Sequence, residues 1–110
     1  MNVLEKKFQK DMEYICRATK EEFGQAPTRF MQMINEYGAV NAVKKLIPKE
    51  VNFSKVTEEI IMAQRPDLLA EYYVLKPEYE ELFTDSERRI CREHLAQLGF
   101  DGAFESGDPQ

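Results

Sequence analysis

Cys91 and His94 stand three residues apart in a stretch with helical periodicity, which sets both on one helix face. That spacing suits a metal ion, and Cys16 could approach from another helix as a third ligand. A tetrahedral site needs a fourth ligand, and the chain has 2 Cys and 1 His in all. The same three residues could instead make a thiol nucleophile with its base, but no third group is recognisable to orient the histidine. All three fall on apolar stripes, where small buried thiols are common, so core packing is the stronger reading. Neither a metal nor a cofactor is expected.

Carboxylates are the next source of chemistry. Glu58-Glu59 and Glu80-Glu81 are adjacent pairs, yet neighbours on a helix point about 100° apart and share no site. They read as solvated faces. Arg65, Asp67 and Glu71 form a tighter group, since Asp67 and Glu71 lie i, i+4 and Arg65 just precedes them. Asp67 is expected to cap a helix, with Arg65 paired to Asp67 or Glu71 and the trio setting an interhelical angle. The same trio is also the candidate surface for a partner.

Lys44, Lys45 and Lys49, with Lys55, are the candidate phosphate patch, joined by Lys6, Lys7 and Lys10 if the first helix packs alongside. No glycine-rich phosphate loop and no helix-turn-helix signature accompany them. Tyr72, Tyr73 and Tyr79 could stack on bases, but among Leu75, Leu82 and Phe83 they read as core.

The elements that must position these groups are all helical. Leu4, Phe8, Met12, Ile15, Thr19 and Phe23 recur every three or four residues, which predicts a helix from Val3 to Phe23 stopped by Gly24. Thr28 is expected to cap a second helix over Arg29 to Tyr37, with Phe30, Met31, Ile34 and Tyr37 facing inward and Gly38 ending it. A third, Ala39 to Ile47, buries Val40, Val43 and Ile47 before Pro48. Residues 48 to 55 are an irregular link, with Val51 and Phe53 available to plug the core. Ser54 then caps a fourth helix to about Gln64, with Val56, Ile60 and Ala63 inward and Ile61 and Met62 widening the stripe. Pro66 ends it, Asp67 caps Leu68 to Leu75, and Pro77 opens a further turn. Thr84-Asp85-Ser86-Glu87 is a capping box for a last helix carrying Ile90, Cys91, His94, Leu95 and Leu98 inward. Leu98-Gly99-Phe100 reads as a Schellman ending. The fold expected is all-α, a compact bundle of five to seven helices in one domain over 1–100, followed by a tail, 101–110, that should fray although Phe104 could dock.

Composition agrees with a globule. The chain of 110 residues is 43% hydrophobic and 32% charged, enough for one core without staples. An N-terminus charged by its fifth residue does not support a secretory signal, so the cytoplasm, reduced thiols and no membrane association are expected. Net charge is −5 but uneven: residues 1–55 hold 10 Lys+Arg against 7 Asp+Glu, and residues 56–110 hold 5 against 13. An acidic whole disfavours non-specific nucleic-acid binding, while the asymmetry suits a partner of complementary charge.

Two blocks, Arg29-Phe-Met-Gln-Met-Ile-Asn-Glu-Tyr-Gly38 continuing to Ile47, and Arg65-Pro-Asp-Leu-Leu-Ala-Glu-Tyr-Tyr-Val-Leu-Lys-Pro-Glu-Tyr79 continuing to Gly99-Phe100, resemble an uncharacterised helical domain of bacteria and phages. The resemblance covers roughly residues 8 to 100. It implies an all-helical fold, a loose link to mobile-element or DNA-defence biology and an occasional place beside nuclease-type domains, with no catalytic residues to carry over. Gln64-Arg65-Pro66 stands where that family tends to have Gly-Arg-Leu, and Ile60 and Ile61 stand where it has an aromatic. The function expected is a non-enzymatic protein-interaction module, with nucleic-acid binding through the basic first half as the alternative.

Overall fold

Residues 2–49 and 54–100 are described by the computed structural model of the chain. Among them six α-helices and two short 3-10 helices follow one another, with no strand. The helices are α1 (Val3–Phe23), α2 (Thr28–Tyr37), α3 (Ala39–Leu46), α4 (Lys55–Met62), α5 (Ala70–Val74) and α6 (Asp85–Gln97). The 3-10 helices are Pro66–Leu68 and Pro77–Leu82. This is the all-α bundle expected. Val51, Phe53 and the tail with Phe104 lie outside the described residues.

Local chemistry sets most boundaries. α1 opens on Asn2, whose side chain accepts from the Glu5 N–H at 2.8 Å while Glu5 accepts from the Asn2 N–H at 3.0 Å. It closes on Gly24, held at φ +74°, whose N–H donates to the Lys20 carbonyl. Gly38 ends α2 and begins α3 at φ +81°, ψ 158°, a region open essentially to glycine alone, so the two helices meet with no linker. The expected capping box of α6 is present: Glu87 N–H donates to Thr84 Oγ1 at 3.0 Å and Thr84 N–H to Glu87 Oε1 at 2.9 Å. Its Schellman ending is present too, with Phe100 N–H on the Leu95 carbonyl and Gly99 N–H on that of Ala96. Pro77 occupies the first position of its turn, and Ser54 caps α4 through the Thr57 N–H.

Two expected caps are overturned. Thr28 is already inside α2, its N–H bonded to the Ala26 carbonyl, and Pro27 precedes the helix without a side-chain cap. Asp67 caps nothing: it lies within the 3-10 turn, its carboxylate held by Arg65, and α5 starts only after the extended Leu69. α4 also ends earlier than expected. Gln64 takes a left-handed φ of 55° and its N–H bonds the Ile61 carbonyl, while Arg65 N–H bonds that of Ile60. This is a Schellman closure built on glutamine, at about 1 kcal/mol of backbone strain.

The core is centred on Phe8 and Met12 of α1, packed by Ala42 and Val43 of α3, Tyr73 and Val74 of α5, Tyr79 and Phe83, and Cys91 and Leu95 of α6. Phe8 meets the Tyr79 ring edge-on at 5.0 Å between centroids and Phe83 at 5.3 Å. Tyr79, fully buried, donates its hydroxyl to the Asp11 carboxylate. Burial, and that carboxylate next, push the Tyr79 hydroxyl far above its ordinary pKa. Arg88 ties α6 to the end of α5 by donating to the Val74 and Leu75 carbonyls at 3.4 and 3.2 Å.

Inward faces follow the expected stripes in α1, α3 and α6. Two stripes need correction. Met62 faces out, because a residue two places from buried Ile60 points some 200° away, and Ala63 is exposed as the C-cap where α4 ends. In α2 only Ile34 is buried, with Phe30 and Met33 packed against the core, while Met31 and Tyr37 stay exposed. α2 meets α3 through its Phe30 and Met33 side, which leaves Met31 at the outer edge.

Candidate binding face

Arg65 and Asp67 are brought together; Glu71 goes elsewhere. Arg65 grips Asp67 with two parallel bonds, Nε to Oδ1 and NH2 to Oδ2, each 3.0 Å, and its third nitrogen bonds Glu22 near the end of α1. The turn at Gln64 points the guanidinium back across α1, so one arginine joins segments 43 residues apart. The guanidinium hydrogen bonds hold the Asp67 carboxyl below its usual range, and the two carboxylates raise the arginine still further. Tyr73 donates its hydroxyl to the Asp67 carbonyl at 2.8 Å, tying the turn to α5.

Glu71 instead faces α6, with Oε2 at 3.4 Å from His94 Nδ1. His94 is buried on the inner stripe, as are both thiols. Burial first, then the Glu71 and Glu87 carboxylates, push the Cys91 thiol far above its ordinary pKa; burial also raises Cys16. A nucleophilic cysteine needs the opposite shift, toward thiolate, so neither is activated. Among the described residues no three of His, Cys, Asp and Glu gather as a metal site.

The three candidate lysines divide. Lys44 turns inward to α6, donating to Glu87 Oε1 at 2.8 Å with its ammonium 5.1 Å from the centre of the Phe83 ring. Burial acts to raise the Glu87 pKa, but the bonds from Lys44 and Thr84 outweigh it and the carboxyl titrates below its usual range. Lys7, from the wider cluster, is bonded to Glu78. Lys45 and Lys49 point the other way. With Arg29, Gln32, Met33, Glu36 and Tyr37 they line an open groove of about 690 Å³ between α2 and the end of α3. Lys45 stands over the Tyr37 ring, 4.6 Å from its centre. Arg29, Lys45 and Lys49 make no ion pair among the described residues.

On its opposite flank α2 borders a second groove, about 360 Å³, floored by Cys16, Ala26, Met31 and Ile34 and edged by Glu13, Arg17, Lys20 and Asn35. α2 is therefore a ridge between two depressions, with Met31 and Tyr37 each 40% exposed. Sequence reasoning missed Arg29 as a site residue and gave Met31 and Tyr37 to the core. The legible signal was the single Gly38 between α2 and α3, which forces the helices side by side and brings α2 to the lysines of α3.

Comparisons with family models, with curated proteins and with solved structures found no match. Among the described residues no helix is long and apolar enough to cross a membrane.

Proposed function

We propose that the protein has no chemistry of its own and binds another protein through α2 and the grooves beside it. The observation that carries this reading is the exposure of α2. Its ten residues include Phe30, Met31, Met33, Ile34 and Tyr37, yet Ile34 is its one buried residue, whereas α1 and α6 bury their stripes. Met31 and Tyr37, one on each flank of α2 and both edged by charged side chains, suit a protein contact better than solvent. Both thiols raised away from thiolate also favour binding over thiol catalysis. The setting we propose is cytoplasmic, in keeping with the charged N-terminus, and in phage or DNA-defence biology on the strength of the two sequence blocks noted above.

The test is a pull-down with the tagged chain from a lysate, split into nuclease-treated and untreated halves, with Met31→Glu run in parallel. A protein retained in both halves and lost from the variant is the expected result. Turnover of a nucleotide or nucleic acid by the purified protein, or absence of any retained protein, would overturn the reading. Nucleic-acid binding is the second reading, favoured by the convergence of Arg29, Lys45 and Lys49 in one groove. It requires retention that disappears with nuclease and an affinity that falls steeply with salt.

A further inference from the structure

The groove on the α3 side of α2 has a definite chemical character. Arg29 from the first turn of α2, Lys45 from the last turn of α3 and Lys49 just beyond it reach the same depression from three points of the chain. One carboxylate, Glu36, lines it with them, so the local balance stays positive on a molecule whose formal charge is −5. Of the cations elsewhere, Lys7, Lys44, Arg65 and Arg89 are engaged in ion pairs within the molecule, while those without one among the described residues, such as Lys6, Lys10 and Arg92, do not line this groove.

Resting on the reading that α2 is a protein-docking ridge, we infer that this groove takes an acidic peptide segment of the partner, its carboxylates on Arg29, Lys45 and Lys49 and an apolar side chain against Met33. Three observations favour a peptide over a phosphodiester chain. Lys45 already covers a face of the Tyr37 ring, which removes that face as a platform for a base. Glu36 and the Gln32 carboxamide offer acceptors inside the groove, which a peptide meets with the N–H donors of its own backbone, whereas the phosphates that the three cations would draw in are acceptors only and are repelled by Glu36. The chain as a whole carries a formal charge of −5, a balance that disfavours an extended polyanion running beyond the groove more than a short acidic segment confined to it.

A displayed library of random linear peptides, selected at low ionic strength against the full chain, tests the inference. Recovered sequences should be rich in Asp and Glu around one or two apolar residues. Recovery should fall about tenfold or more on an Arg29→Glu, Lys49→Glu double variant whose thermal melt matches the parent, because reversal turns attraction into like-charge repulsion. A fluorescently labelled single-stranded oligonucleotide, titrated in parallel, should show no saturable binding. Peptides recovered equally by the double variant but lost on Met31→Glu would overturn the groove assignment while leaving α2 as the docking ridge. Recovery of basic sequences, or saturable oligonucleotide binding lost on charge reversal, would overturn it in favour of another ligand. If no peptide is recovered, the acidic-segment inference fails. A protein still captured from lysate and lost on Met31→Glu would then keep the docking reading, and its absence would end both.

Discussion

The surface around Arg65 and the surface around Arg29 use the same kind of residue to opposite ends. Arg65 is bonded to two carboxylates from different segments, its neighbour Tyr73 is tied to the same turn, and the guanidinium joins α1 to the chain after α4. Arg29, Lys45 and Lys49 surround an open groove and have no carboxylate partner among the described residues. A charge satisfied within the molecule acts on stability, while an unsatisfied one remains available to something outside. The contrast extends to packing. The Phe8, Tyr79 and Phe83 cluster is closed and fully buried at its centre, whereas α2 leaves Met31 and Tyr37 half in solvent.

The comparison breaks most sharply at Phe8. Phe8→Ala removes the ring that meets both Tyr79 and Phe83, and should cost about 3–5 kcal/mol of unfolding free energy in a urea titration. A cost under about 1 kcal/mol would mean the aromatic cluster is not the centre of stability that its burial implies.

A smaller effect should come from Arg65→Ala, which leaves the Glu22 and Asp67 carboxylates without their shared cation. Because the pair is about a third exposed and screened, the expected loss is about 1 kcal/mol near neutral pH, shrinking in high salt. The acid limb sharpens the test. Asp67 is depressed in the folded state, so the unfolded chain binds more protons as pH drops. Its contribution is complete above the ordinary aspartate value of about 4 and vanishes as pH falls through the lower folded value. Denaturation curves of parent and variant should therefore converge at acid pH, and a constant gap between them would remove the ion triad from the explanation.

The smallest effect on stability belongs to the other surface. Arg29→Glu with Lys49→Glu should change unfolding free energy by less than about 0.5 kcal/mol, since neither side chain is tied to the fold. A large loss by thermal melt would show that these cations belong with Arg65 after all.

Much of the architecture was readable along the chain because its signals are local. The α1 stripe with Gly24 at its end, the Thr84 to Glu87 capping box and the Leu98-Gly99-Phe100 closure each depend on residues within about one turn of one another. Where local signals competed, the reading failed. Asp67 carries a good capping side chain, but a bidentate arginine two residues away took its carboxylate, and Pro66 set a 3-10 turn instead. Thr28 lost its capping place because the chain had already turned at Ala26. Met31 and Met33 are both apolar, and nothing in α2 alone says which one faces α3.

By itself, then, the sequence determined the helices, most of their ends and the all-α class, because caps, prolines, glycines and apolar spacing act within a few residues. It also carried the charge imbalance between the halves. Only the tertiary structure decided which charges meet between distant segments. Arg65 found Glu22 across 43 residues, Lys44 found Glu87 across 43, and Glu71 turned to His94 rather than to Arg65. Those pairings follow from how helices pack, since a side chain's partner is set by which faces touch and not by its place in the chain. The groove of Arg29, Lys45 and Lys49 arises in the same way, from two helices meeting at Gly38 with no linker to separate them.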